Sequence, residues 1–270
     1  MSGIFENTMA SMNWVQIRRA VEEGALVLLP LGVLEEHGPH LPLSTDVSIA
    51  HGQCLALRQE LSRHGIESVI APPFYWGVCQ CTGGFIGSFQ VRRETATALL
   101  YDILASLAGF GFTQVYGVNA HGDIEHAAAS MDAFRQAREQ LGLRASVGFP
   151  EDWLAPFGLT GEEPWLFPVA PASRAFGDAV TPDVHAGDLE TAAMVRFCPG
   201  ATDGAVATEL PPVALPGERA MDWLFGGHIQ ELSHQGYLGN PAAYAAVDVD
   251  AWLEDTAHRL YMGIMKSTKG

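Results

Sequence analysis

The sequence predicts an α/β fold built on a mainly parallel sheet, and two observations carry this prediction. Short apolar runs alternate along the chain with segments whose apolar residues recur at helical spacing. Such alternation indicates parallel strands that are joined by right-handed crossovers. The densest polar motifs follow directly after predicted strands, and parallel sheets bind their ligands at the carboxyl ends of their strands.

Four strands are predicted in the first part of the chain. The clearest is residues 25–31, a continuous apolar run that is typical of a strand buried on both faces. The other three predicted strands are residues 66–71, 114–118 and 144–149.

Helices are predicted between these strands, at residues 47–63, 92–107 and 124–140. The second of them is the most clearly amphipathic, because its apolar residues share one face. That face comprises Leu99, Leu100, Ile103, Leu104 and Leu107. Two further helical patterns cover residues 220–233 and 250–266.

Residues 150–182 interrupt the alternation of strands and helices. This segment is rich in proline and aromatic residues, among them Trp153 and Trp165. A long excursion of this composition predicts a lid, a wall of the substrate site or a subunit contact. Neither a linker nor an internal repeat divides the chain, so we expect one domain over residues 1–270.

Composition and charge exclude several classes of protein. Hydrophobic residues make up 48% of the 270 residues and charged residues 17%, which favours a packed core over disorder. Acidic residues outnumber basic ones by 31 to 15, so we expect neither nucleic acid nor an anionic membrane as a partner. With no apolar run of membrane-spanning length and no signal-peptide pattern, a cytoplasmic location is expected.

The first polar motif is GVLEEHGPHLPLSTD, residues 32–46, which follows the first predicted strand. Its ionisable residues are Glu35, Glu36, His37, His40 and Asp46. Carboxylates and imidazoles at the end of a buried strand are costly unless a cation compensates them. Since these side chains suit zinc, manganese or iron, the motif predicts a metal site.

The second motif is NAHGDIEH, residues 119–126, which follows the third predicted strand. His121 and Asp123 are separated by Gly122. Because alternate residues of an extended segment point the same way, both side chains could bind neighbouring metals.

The third motif is DVHAGDLET, residues 183–191, which surrounds a predicted helix start. His185 is predicted to have a catalytic or substrate-binding role, and Glu190 lies close to it. Asp188 could share that role or could simply be a carboxylate favoured by the helix dipole.

Together the three motifs resemble the creatininase (creatinine amidohydrolase) family. Residues 29–46 are similar to its E-x-H-G-x-H-L-P stretch and following Asp, and residues 185–191 to its H-A-G-E-x-E-T segment. NAHGD is similar to the family's second His motif, and the resemblance runs with gaps over residues 25–195. It implies a three-layer αβα sandwich, a site for two divalent metal ions and a homo-oligomer, with a hexamer favoured.

The resemblance also implies a set of metal ligands. By motif position, Glu35 and His121 would bind one metal and His37 the other, with Asp46 bridging both. Asp123 stands where creatininase has a Glu ligand, and it would complete the shell of the second metal. Other family members have Gly there, so this chain departs from both forms. The expected ions are Zn2+ and Mn2+, with Fe2+ as an alternative.

Residues that would contact substrate are implied in the same way. His185 matches the active-site histidine and Glu190 an acidic residue near it. Cys79 stands in place of a substrate-contacting Ser, and Gly122 is expected beside the substrate. Trp153 and Trp165 are expected to form an aromatic wall.

One departure from creatininase bears on the substrate. Creatininase has a Trp-Asp pair shortly before its active-site His, where this chain has Thr181 and Pro182. This change and that at Cys79 argue against creatinine.

The activity implied is hydrolysis of the C–N bond of a small, cyclic or linear amide by a metal-activated water. His185 would pass a proton to the leaving nitrogen. Two alternatives remain open. One is a formamide hydrolase or a small-peptide-trimming peptidase of the same family, and the other is a non-catalytic, oligomeric metal-binding protein.

Overall fold

The computed structural model describes residues 3–219 and 229–268. In this part of the chain five strands form one sheet: β1 (Leu26–Leu31), β2 (Ser68–Ile70), β3 (Gln114–Asn119), β4 (Arg144–Pro150) and β5 (Leu166–Val169). Their order in the sheet is β2-β1-β3-β4-β5, and all neighbouring pairs are parallel. The α/β fold class and the four predicted strands are therefore confirmed.

The α-helices among the described residues are α1 (Trp14–Glu22), α2 (Thr45–Arg63), α3 (Arg93–Phe110), α4 (Ile124–Leu141), α5 (Glu151–Leu154), α6 (Asp188–Phe197), α7 (Gly204–Glu209), α8 (Ile229–Leu232) and α9 (Val249–Ser267). The three helices predicted between strands are α2, α3 and α4, and the final one is α9. Of the helix predicted at residues 220–233, residues 220–228 lie outside the described part of the chain. No described helix is both long and apolar enough to cross a membrane.

Helices cover both faces of the sheet, as the side chains of β1 make clear. Val27 and Leu29 pack into a core shared with α3 and α4. Leu26 and Leu28 point to the opposite face and pack into a second core, shared with α2 and α9. The protein is thus the three-layer αβα sandwich that the resemblance implies.

The chain changes direction across the sheet between β1 and β3. After β1 it passes through α2 to β2 on one side, and it then returns through α3 to β3 on the other side. Leu31 pairs with Asn119, so both strands end at the same level. The first two polar motifs leave the sheet at this point, which is the usual position of a ligand crevice in such folds.

A strand lies inside the proline-rich segment 150–182. Residues Leu166–Val169 form β5, which pairs with β4 in the register Val147 to Leu166. The sequence does not predict this strand, because it has only four residues and contains Pro168. Proline is tolerated there because β5 is an edge strand. A lid or subunit contact in the remainder of the segment stays a prediction.

The apolar face of α3 differs from its prediction at one position. Leu100, Leu104 and Leu107 are buried. Leu99, expected on the same face, is 39% exposed.

Two leucine substitutions on α3 test this description. Leu104→Ala should lower the free energy of unfolding by about 2–5 kcal/mol, because it leaves a cavity in the core. Leu99→Ala removes the same atoms from an exposed site and should cost less than about 1 kcal/mol. Urea denaturation measures both, and equal losses would contradict the burial pattern of α3.

Candidate metal centre

Three polar segments meet at the carboxyl end of the sheet. The loop after β1 carries Glu35 and His37, and Asp46 follows in the first turn of α2. His121 comes directly after β3. His185 precedes α6. All five side chains are buried, and the acidic and basic groups must therefore compensate one another.

The orientation of the three imidazoles is fixed by main-chain carbonyls. His121 Nε2 lies 3.0 Å from the Val78 carbonyl oxygen, and His185 Nε2 lies 2.9 Å from that of Glu36. His37 Nδ1 lies 3.2 Å from the carbonyl oxygen two residues before it. Because a carbonyl oxygen only accepts, each of these nitrogens carries the proton. The other nitrogen of each ring therefore offers its lone pair to the centre, as in metal-binding histidines.

One group of possible ligands is made by Glu35, Asp46 and His121. His121 Nδ1 lies 3.0 Å from Glu35 Oε1 and 3.1 Å from Asp46 Oδ2. Asp46 Oδ2 is buried and accepts no hydrogen bond of normal geometry from the described residues. The three ligand atoms lie within 4.8 Å of one another, so this group could hold a metal ion.

A second group is made by His37, Asp46 and Glu190. His37 Nε2 lies 3.1 Å from Asp46 Oδ1 and 3.7 Å from Glu190 Oε2. These ligand atoms also lie within 4.8 Å of one another. Asp46 belongs to both groups, with a different oxygen in each. The geometry therefore suits two ions that share Asp46.

His185 lies beside both groups. Its Nδ1 is 4.0 Å from Glu35 Oε1, and its ring centroid is 4.2 Å from that of His37. These three residues form a further set of ligand atoms within 4.8 Å of one another. The lone pair of His185 thus faces the same space as the two groups.

The carboxylates favour protonated imidazoles in the metal-free chain. Burial lowers the pKa of His37, but the charge and hydrogen bond of Asp46 outweigh burial and raise this pKa to about 10. Burial also lowers the pKa of His121, but the charge of Glu35 outweighs burial and raises this pKa. In turn, although burial opposes it, the charge of His121 holds the pKa of Glu35 well below its ordinary value.

The structure does not bring Asp123 into these groups. Its Oδ1 accepts the backbone N–H groups of Glu125 and His126, at 2.8 and 3.1 Å, and so caps α4. Its Oδ2 accepts those of Gln80 and Cys81, at 2.6 and 3.1 Å. Asp123 is thus a helix cap and a loop anchor, and its role as a metal ligand stays a prediction.

Cys79 and Gly122 differ in their access to the centre. Cys79 is fully buried, and its thiol donates to Glu35 Oε2 at 3.1 Å. Its contact with substrate stays a prediction. Burial, followed by the charge of Glu35, raises the pKa of Cys79, so the thiol stays neutral. Gly122 is exposed, and a Cβ there would meet no atom within 4 Å. Its contact with substrate stays a prediction.

The two tryptophans of the proline-rich segment pack elsewhere. Trp153 stacks on Phe157 with ring centroids 6.2 Å apart. Trp165 lies under the guanidinium of Arg135, which is 5.9 Å from the ring centroid. Both rings pack against the core on the α3 and α4 side of the sheet. An aromatic wall made by these two rings stays a prediction.

Some supporting residues are not predicted by the sequence. Leu238 exchanges two main-chain hydrogen bonds with His185, at 3.0 and 2.8 Å, and so holds the segment that carries it. Thr82 donates to Glu35 Oε2. The sequence signal for Thr82 is its hydroxyl, three residues after Cys79. Leu238 has no such signal, because its main-chain hydrogen bonds to His185 do not depend on the type of side chain.

Comparison with known proteins gives related sequences over most of the chain. The family model for creatininase, described as creatinine amidohydrolase, matches residues 10–263. A mycofactocin precursor peptide peptidase of Mycobacterium ulcerans is 31% identical over 230 residues, which are 82% of this chain and 77% of that protein. A creatinine amidohydrolase of Pseudomonas putida is 23% identical over 214 residues, with coverages of 77% and 78%.

Solved structures share the fold. A creatininase variant superposes with a TM-score of 0.68 at 18% identity, and the match covers 97% of each chain. A structure described as creatininase Mn has a TM-score of 0.65 at 18% identity, covering 97% of this chain and 96% of that one. A creatininase variant of Zn-Zn type has a TM-score of 0.63 at 19% identity, covering 96% of both.

Binding of Zn2+ at neutral pH should release protons, because His37 and His121 must lose theirs to become ligands. Since protons compete with the ion below the raised pKa of about 10, the affinity should fall as the pH is lowered. Calorimetric titration in buffers of different ionisation enthalpy measures the number released. Uptake without proton release, at an affinity that does not depend on pH, would contradict these protonation states.

Proposed function

The chain belongs to the creatininase family of metal-dependent hydrolases that act on C–N bonds, and we propose that it cleaves the amide bond of a small substrate at the centre around Asp46. The observation that carries this proposal is the division of Asp46 between two ligand groups, with one oxygen in each. Two divalent ions bridged by one carboxylate are a common arrangement for hydrolysis.

The proposed ligands follow from the two groups. Glu35, Asp46 and His121 would hold one ion, and His37, Asp46 and Glu190 the other. Nitrogen and oxygen donors of this kind suit Zn2+ or Mn2+, with Fe2+ as an alternative. When bound, such ions lower the pKa of a coordinated water and polarise the carbonyl of the substrate.

His185 is the proposed proton carrier. Its Nε2–H is engaged by the Glu36 carbonyl at 2.9 Å, so proton transfer would use Nδ1, which faces the centre. The two hydrogen bonds between its backbone and Leu238 limit movement of the segment. A positioned imidazole can give a proton to the leaving nitrogen near neutral pH.

Glu190 lies at the accessible side of the centre. Its side chain is 20% exposed, whereas those of His37 and Asp46 are buried. Its Oε2 accepts the backbone N–H of Ala186 at 2.7 Å, which holds the carboxylate toward His37. We infer that substrate approaches from this side, because the exposed part of Glu190 is the accessible edge of the ligand groups.

A short peptide is the favoured substrate class. Two relatives, at 31% and 27% identity, are described as mycofactocin precursor peptide peptidases, against 23% for the creatinine amidohydrolase. Thr181 and Pro182, in place of the Trp-Asp pair of creatininase, also argue against creatinine. A small cyclic amide is the second candidate, because the matching family model is described as creatinine amidohydrolase. A hexameric assembly and a cytoplasmic location stay predictions.

A panel of short peptides, formamides and cyclic amides tests the activity on Zn2+-loaded and Mn2+-loaded protein. Release of an amine from a peptide is expected. His185→Ala should keep its metal content and lose turnover by about 10²–10⁴-fold, because the proton carrier is removed. His258→Ala, which removes an exposed imidazole on α9, is the matched control and should leave turnover unchanged.

Two outcomes would contradict the proposal. Turnover of no amide by metal-loaded protein would favour a non-catalytic metal-binding protein. Near-normal turnover in His185→Ala would rule out the role given to His185, and cleavage of cyclic amides alone would reverse the order of the two substrate classes.

A further inference from the structure

The two oxygens of Glu35 have different surroundings. Oε1 faces the centre, 3.0 Å from His121 Nδ1. Oε2 faces away from it and accepts hydrogen bonds from the thiol of Cys79, at 3.1 Å, and from the hydroxyl of Thr82. Both donors are fully buried, so water does not substitute for them. Glu35 therefore has one oxygen held by the protein and one left for the centre.

The donors are themselves held in place. The Ser88 hydroxyl donates to Thr82 Oγ1 at 3.2 Å, and Thr82 Oγ1 lies beside Cys79 Sγ. Ser88 Oγ also accepts the backbone N–H of Glu36 at 3.1 Å. These contacts join the loop after β2 to the loop after β1, next to Glu35 in the chain. The position of the carboxylate is thus set from two sides.

We propose that Cys79 and Thr82 are positioning residues that hold Glu35 Oε2, so that Oε1 alone is presented with His121 and Asp46. Hydrogen bonds to a ligating carboxylate fix its orientation, and the loss of such support typically weakens metal binding about tenfold to hundredfold. The effect should be confined to the ion held by Glu35, because neither donor contacts His37 or Glu190 in the described hydrogen bonds.

This inference rests on the proposed metal centre, so its test measures metal affinity and not turnover. Zn2+ titration against a chromophoric chelator is expected to resolve two affinities in the parent protein. Cys79→Ala and Thr82→Val should each weaken one of them about tenfold to hundredfold and leave the other unchanged. Cys79→Ser and Thr82→Ser keep a hydroxyl donor and should restore the parent value.

Cys54→Ala is the matched control, because Cys54 is also a fully buried thiol but packs in the core between α2 and the sheet. It should leave both affinities unchanged. If Cys79→Ala does not fold, Thr82→Val decides, since valine keeps the shape of threonine and removes only the hydroxyl.

Unchanged affinities in Thr82→Val would overturn the proposal, as would Ser variants that lose as much affinity as Cys79→Ala and Thr82→Val. A parent protein that binds no metal would instead refute the proposed function. A protein that binds metal but hydrolyses no amide would refute that function and leave the role of Cys79 and Thr82 to be judged by these titrations.

Discussion

Glu35 and Asp46 bring two negative charges into the buried end of the sheet, and the surrounding structure depends on how those charges are compensated. Three buried imidazoles supply part of the compensation. In each ring one N–H donates to a main-chain carbonyl, and the other nitrogen faces the carboxylates. An imidazole lone pair and a carboxylate oxygen that face each other repel, unless a shared proton or a cation lies between them. In the metal-free chain protons take that place, because the charge and hydrogen bond of Asp46 outweigh burial and raise the pKa of His37 to about 10.

The fold places these groups together through one close approach between strand and helix. The chain leaves β1 and returns as α2, whose first turn carries Asp46. A Cβ at Gly32 would lie 2.8 Å from the backbone of Asp46, so glycine is required for this contact. His121 arrives from the neighbouring strand β3, because Leu31 and Asn119 end at the same level. The carboxylates and the imidazole therefore meet at the point where strand order reverses.

Much of this could be predicted from the sequence. The alternation of apolar runs and amphipathic helices predicts the sheet, and the motifs after the first and third strands predict Glu35, His37, Asp46 and His121. An acidic residue just before a helix suits two roles, a metal ligand and an N-cap, and only the backbone N–H groups that face Asp123 show that it caps α4. The supporting contacts of Thr82 and Leu238 depend on tertiary structure, for which spacing along the chain gives no signal.

If Asp46 joins two metal ions, its replacement should remove metal from the protein, and elemental analysis of the purified protein and of Asp46→Asn measures this. We expect about two zinc or manganese ions per chain after reconstitution and a sharp fall in Asp46→Asn, because the amide keeps the shape but loses the charge. Asp102→Asn, at an exposed position on α3, is the control and should keep the parent content. Equal metal content in Asp46→Asn and the parent, or no metal in the parent after addition of zinc and manganese, would rule out a pair of ions joined by Asp46.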